Sequence, residues 1–125
     1  MRCYAIRGAV PVARNGEQEI VDATRELLDR MVKENGIDPD EIVSVTFSAT
    51  EDLDAIPPAR AARDMGWIYT PLLCVREMPT RGAMARVVRV MMYVNGDRAL
   101  TDVRHVYLGA ARVLRPDLVG AELAQ

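Results

Sequence analysis

Apolar and polar positions alternate at the start of this chain, fall into a helical rhythm, and then return to alternation. Residues 3–12 are apolar with β-branched members, interrupted at Arg7-Gly8, and predict a strand. From 17 to 35 the positions Ile20, Thr24, Leu27 and Met31, flanked by Val21, Leu28 and Val32, recur at the spacing of one helix face. Asn15 is the expected N-cap, Gln18 stands at the capping-box position, and Asn35-Gly36 supplies the stop. A strand is expected over 42–48. Pro57-Pro58 opens a short helix over 59–65, which Gly66 ends. Residues 67–75 read as a strand, with Pro71 placing it at an edge or bulge. The clearest strand runs over 87–94 and stops at Asn95-Gly96-Asp97. A turn or short helix at 99–102 precedes a last strand at 103–108. The apolar tail over 110–118 is broken by Arg115-Pro116-Asp117.

One long helix, one short helix and about five strands predict an α+β domain with a mixed sheet spanning all 125 residues. One helix cannot cover both faces of such a sheet. The other face is therefore solvated or buried against another subunit, and its apolar content favours the subunit. Composition narrows the classes further. A 50% hydrophobic chain is not a disordered one. A net charge of −2 argues against nucleic acid or an anionic membrane as the main partner. No apolar run approaches the roughly 20 residues of a membrane helix, and no charged-then-apolar leader opens the chain, so a cytoplasmic protein is expected. Cys3 and Cys74 lie outside any CxxC spacing, and His105 is the single histidine, so no structural zinc site is expected.

Fifteen of the 16 basic residues are arginine, with Lys33 the exception. Codon bias explains this, or some of these arginines serve as forks for carboxylates, a task lysine does poorly. Arg89 sits mid-strand in Val87-Val88-Arg89-Val90-Met91-Met92, sharing a face with Val87, Met91 and Tyr93. A charge there needs an opposite charge, either a structural partner or a ligand anion. Arg7 ends its apolar run as a surface charge or a second fork, beside Gly8, which allows close backbone approach. Glu77 follows Leu72-Leu73-Cys74-Val75 where a strand gives way to a loop. Cys74 by itself reads as a small core hydrophobe, Tyr107 as a core ring with a satisfied hydroxyl, and Arg63 as solvated. His105 and Trp67 read as structural. There is no phosphate loop, nucleophile elbow or metal-ligand cluster. An arginine-rich set with one carboxylate, one thiol and one phenol suits electrostatic work on a small polyanion.

Six segments in order, Ile6-Arg7-Gly8-Ala9, Ser48-Ala49-Thr50-Glu51-Asp52-Leu53, Pro58-Ala59-Arg60-Ala61-Ala62-Arg63, Val87-Val88-Arg89-Val90-Met91, Val103-Arg104-His105-Val106-Tyr107-Leu108 and Leu114-Arg115-Pro116-Asp117-Leu118, resemble the monofunctional chorismate mutases of the AroH class. The resemblance implies a trimeric pseudo-barrel with active sites between subunits. It also implies conversion of chorismate to prephenate without cofactor or metal, on the route to phenylalanine and tyrosine. By that resemblance Arg89 contacts the breaking ether oxygen and a carboxylate, while Arg7 and Tyr107 hold carboxylate oxygens. Glu77 accepts from the ring hydroxyl with Cys74 near it, and Leu73 belongs to a strand forming part of the wall. Arg63, Ala59, Leu114 and Arg115 correspond to peripheral binding positions, and a mobile tail over 116–125 partly closes the site. Two departures stand out: Pro57 replaces a frequent aromatic wall residue, and Pro79-Thr80-Arg81-Gly82-Ala83 alters a glycine-rich loop. A non-catalytic trimer that binds a dicarboxylate in the same cleft is the alternative from a different class.

Overall fold

The computed structural model describes residues 2–114. Strand β1 (Cys3–Pro11) leads to helix α1 (Glu17–Asn35), strand β2 (Ile42–Ala49) and short helix α2 (Ala59–Asp64). Strands β3 (Leu72–Arg76), β4 (Val87–Asn95) and β5 (Val106–Tyr107) follow, with 3-10 turns at Pro39–Glu41, Leu100–Asp102 and Gly109–Leu114. The five strands form one mixed sheet in the order β3-β2-β4-β1-β5. β4 runs antiparallel to both β1 and β2, whereas β3 and β5 pair in parallel as the edges. The α+β class and the mixed sheet expected from the pattern are therefore present.

The sheet has a closed and an open face. Ile6, Val45, Phe47, Val88, Met92 and Val94 point toward α1 and are almost wholly excluded from solvent, together with Ile20, Leu27, Leu28 and Met31 of the helix. Gly8 belongs to this face too: a Cβ there would meet Met31 Sδ at 2.6 Å and Leu27 Cδ1 at 2.9 Å. The close backbone approach that this glycine permits is thus the seating of α1 on the sheet. Residues at odd positions of β1 and β4 face the other way. There Gly109–Leu114 lies against β1, and Ala9, Val87, Tyr107 and Ala111 form a second, smaller core.

Several expectations are corrected. Asn15 does not cap α1; Gly16 occupies the N-cap without a side-chain bond. The Asn15 Oδ1 instead accepts from the backbone N–H groups of Asp54 and Ala55, and its Nδ2 donates to Asp54. Gln18 bonds Asp22 on its own helix rather than closing a capping box. Glu17 and Glu19 supply negative charge to the first turn, and a backbone hydrogen bond, reinforced by Arg14, holds the Glu19 carboxyl below its ordinary range. The strand expected from 67 begins only at Leu72. Trp67 is buried in the core, its N–H bonded to the Ala62 carbonyl at the end of α2, so it cannot also join the sheet edge. Pro71 immediately precedes β3, whose place at the edge agrees with the expectation from proline. The last strand, expected over 103–108, contracts to Val106–Tyr107. Arg115 and the tail over 116–125 lie outside the described residues.

Candidate active site

The open face carries polar groups on strands whose other face is apolar. Register aligns them in rows. Arg7, Met91 and Thr46 lie across β1, β4 and β2, and the next row runs Tyr107, Ala9, Arg89, Ser48 and Val75. Arg7, Arg89, Tyr107, Thr46, Ser48 and Met91 line an open cleft of about 290 Å³. Two residues beyond Val75, the alternation of β3 returns Glu77 to the same face. Its Oε1 accepts from Ser48 Oγ at 2.6 Å and lies 3.3 Å from Arg89 Nε. Both side chains are partly exposed, 44% for Arg89 and 30% for Glu77, so their pairing contributes at most about 1 kcal/mol to stability. Arg89 thus meets a carboxylate of its own chain through one edge of the guanidinium. The Arg7 guanidinium has no ion-pair partner among the described residues.

Tyr107 is 6% exposed and packs with Ala9, Val87 and Ala111, which fixes its ring at the cleft's edge. Leu114 is half-buried against the same cluster. Leu73 pairs with Thr46 on the open face and is 59% exposed. The structure thus gathers Arg7, Arg89, Glu77, Tyr107, Leu73 and Leu114 on one side of the sheet. The other expected residues are elsewhere. Cys74 is an exposed thiol rather than a core hydrophobe. It pairs with Phe47, so it faces the closed side, away from Glu77 three residues on. Within one chain Cys74 is therefore not beside Glu77: an odd spacing along extended backbone puts the two side chains on opposite faces. Cys74 instead lines a depression of about 380 Å³ with Ile56, Pro57, Pro58 and Arg76. Ala59 is 4% exposed in the closed-face core. Arg63 is exposed on α2, whose other arginine, Arg60, is paired with Asp64.

Ser48, Thr46 and Met91 also line the cleft, although sequence reasoning did not single them out as site residues. The signal was available in β2, where Thr46 and Ser48 alternate with the buried Val45 and Phe47. His105 is structural as expected: its Nδ1 accepts from the backbone N–H of Arg7 at 2.9 Å. Among the described residues no cluster of three or more metal-binding side chains occurs.

A family model described as chorismate mutase type I matches residues 3–118. The chain belongs to that family. "Chorismate mutase AroH" of Bacillus subtilis (strain 168) is 44% identical over 119 residues, covering 94% of each chain. "Chorismate mutase AroH" of Thermus thermophilus is 47% identical over 118 residues, 94% of this chain and 97% of the relative. The solved chorismate mutase from Clostridium thermocellum superposes with a TM-score of 0.86 at 47% identity, over 88% of this chain and 98% of that one. As a chorismate mutase homologue, this chain carries its arginine-lined cleft on a fold shared with that relative.

Proposed function

We propose that the open-face cleft is where this enzyme rearranges chorismate to prephenate, in the biosynthesis of aromatic amino acids. The reaction is pericyclic and occurs in one step, so it requires neither a nucleophile nor a proton transfer. Its substrate is a flexible dianion whose reactive conformer is a minority. Arginines on both carboxylates hold that conformer and remove part of the entropic barrier. In the transition state the C–O bond breaks ahead of C–C formation, leaving negative charge on the ether oxygen and positive charge on the ring. Arg89 matches the first and Glu77 the second. Arg7 and Tyr107 hold carboxylate oxygens. A million-fold acceleration requires about 8 kcal/mol, and one charge-assisted contact supplies about 1.5–3 kcal/mol, so the residues act together. The observation that carries this reading is the convergence of Arg7, Arg89 and Tyr107 on one cleft with Glu77 joined to Arg89.

The cleft is open, Cys74 lies on a different surface of the same chain, and Arg63 is exposed on α2, with Ala59 buried beneath it in the core. We infer that three copies assemble in the cytoplasm so that this second surface of one, with Cys74 and Arg63, completes the cleft of its neighbour. Exposed Tyr93, Leu73 and Val75 on the open face support burial against another copy. Arg115 and the tail bearing it belong to the same reading as its closing element. The test is the loss of chorismate absorbance with purified protein in EDTA, with product identification and light scattering on the same sample. Conversion to prephenate by a trimer is the expected result. Binding without turnover would point to the dicarboxylate binder, and a fully active monomer would remove the shared site.

A further inference from the structure

The strand that brings Tyr107 to the cleft is two residues long, pairing in parallel only through Gly8–Val106 and Ala9–Tyr107. So short a parallel ladder gives little hold on a side chain. Side chains from elsewhere take over where the ladder stops. Asn35, the last residue of α1, is 5% exposed. Its Nδ2 donates to the Arg104 carbonyl at 2.8 Å and to the Met31 carbonyl at 2.9 Å. Its Oδ1 accepts from the Arg104 N–H at 2.8 Å and from Arg98 Nη1 at 3.3 Å. Both donors and both lone pairs of the amide are used. Toward Arg104 the side chain acts as a neighbouring peptide would, exchanging both bonds as in a hydrogen-bonded antiparallel pair. At the next residue, His105 Nδ1 accepts from the Arg7 N–H, and then Val106 and Tyr107 enter the ladder.

The helix end does not require this amide. Gly36, with φ of 59°, already closes α1 with its N–H on the Lys33 carbonyl, and the Ile37 N–H bonds the Val32 carbonyl. A buried polar side chain that the helix end does not need, and that exchanges both a donor and an acceptor bond with a residue 69 positions away, is placed for that segment. Arg98, the donor of the fourth bond, is held in turn with its guanidinium 4.8 Å from the Tyr4 ring centroid.

We propose that Asn35 is a positioning residue for the rearrangement, setting the height and register of Tyr107 beside Arg89 through the backbone of Arg104 and His105. This rests on the reading of Tyr107 as a substrate contact. The test is a double-mutant cycle on kcat/KM with chorismate, using Asn35→Leu, Tyr107→Phe and the pair, with unfolding curves for each protein. Asn35→Leu is expected to lower kcat/KM about 10- to 100-fold, the loss typical of a slightly misplaced contact. In the Tyr107→Phe background the same change is expected to cost little more, because the contact it serves is already gone. Should Asn35→Leu fail to fold, Asn35→Asp serves in its place, since it keeps the acceptor for the Arg104 N–H and Arg98 while removing both donors. Additive losses, or a folded Asn35 variant with unchanged kcat/KM, would overturn the assignment. A silent Tyr107→Phe would instead defeat the reading of Tyr107 and take the Asn35 assignment with it, whereas a costly Tyr107→Phe with additive losses defeats the Asn35 assignment alone.

Discussion

The two faces of the central sheet are built by the same strands and obey different rules. On the closed face, Phe47, Val88 and Met92 are fully buried, and their neighbours are other apolar side chains of the sheet and α1. On the open face, Arg89, Ser48 and Thr46 occupy the intervening positions of the same strands and line a cleft. One residue of offset separates a side chain that holds the fold from one that lines the proposed substrate cleft. A face stabilised by area and shape tolerates loss of polarity. The proposed dianion cleft on the open face is instead expected to be sensitive to the geometry of its donors, and its partly exposed Arg89–Glu77 pair contributes little to holding the monomer together.

Substitutions on either side separate these roles. The largest effect is expected from Phe47→Ala on the closed face, which removes a fully buried ring and costs about 3–5 kcal/mol. Chemical denaturation measures it, and whatever protein remains folded should keep its turnover. On the open face, Arg89→Lys retains the charge but loses the planar fork. We expect kcat to fall about 100- to 1,000-fold, as when one preorganised donor to developing negative charge is removed. The unfolding midpoint should stay near that of the parent, since the Glu77 pair it disturbs is partly exposed. Near-parent turnover would erase the distinction between the faces. The smallest effect is expected from Gly8→Ala. The new methyl group points at Met31 and Leu27 and should cost about 1–3 kcal/mol of stability by overpacking. Because Gly8 lies between Arg7 and Ala9 on β1, kcat/KM measured alongside shows how stiffly the closed face sets the open one. An unchanged value means the sheet absorbs the strain before it reaches Arg7.

Much of this contrast was legible beforehand. The helix over 17–35 and the strand through Arg89 come from periodicity, and periodicity is local. Arg89 drew notice because a charge inside an apolar strand needs an opposite partner. The partner, Glu77, was also in view, but its contact with Arg89 depends on β3 and β4 both flanking β2. Cys74 shows the limit more sharply. By itself it reads as a small core hydrophobe, while β3 lies at the sheet edge and leaves its thiol exposed, turned by the register with Phe47 to the face opposite Glu77.

The sequence by itself determined which segments are helix or extended, which side of each strand is apolar, and which family the chain resembles. Those properties follow from the spacing and kind of neighbouring residues. Only the tertiary structure decided where β3 begins, because Trp67 is drawn into the core, and how short β5 is, because the Asn35 and His105 side chains replace its missing ladder bonds. It also took Asn15 from the helix cap to the backbone of Asp54 and Ala55. In each case a polar or bulky side chain chose between a local partner and one far along the chain. Folding brings the distant partner close, and no pattern of adjacent residues records that proximity.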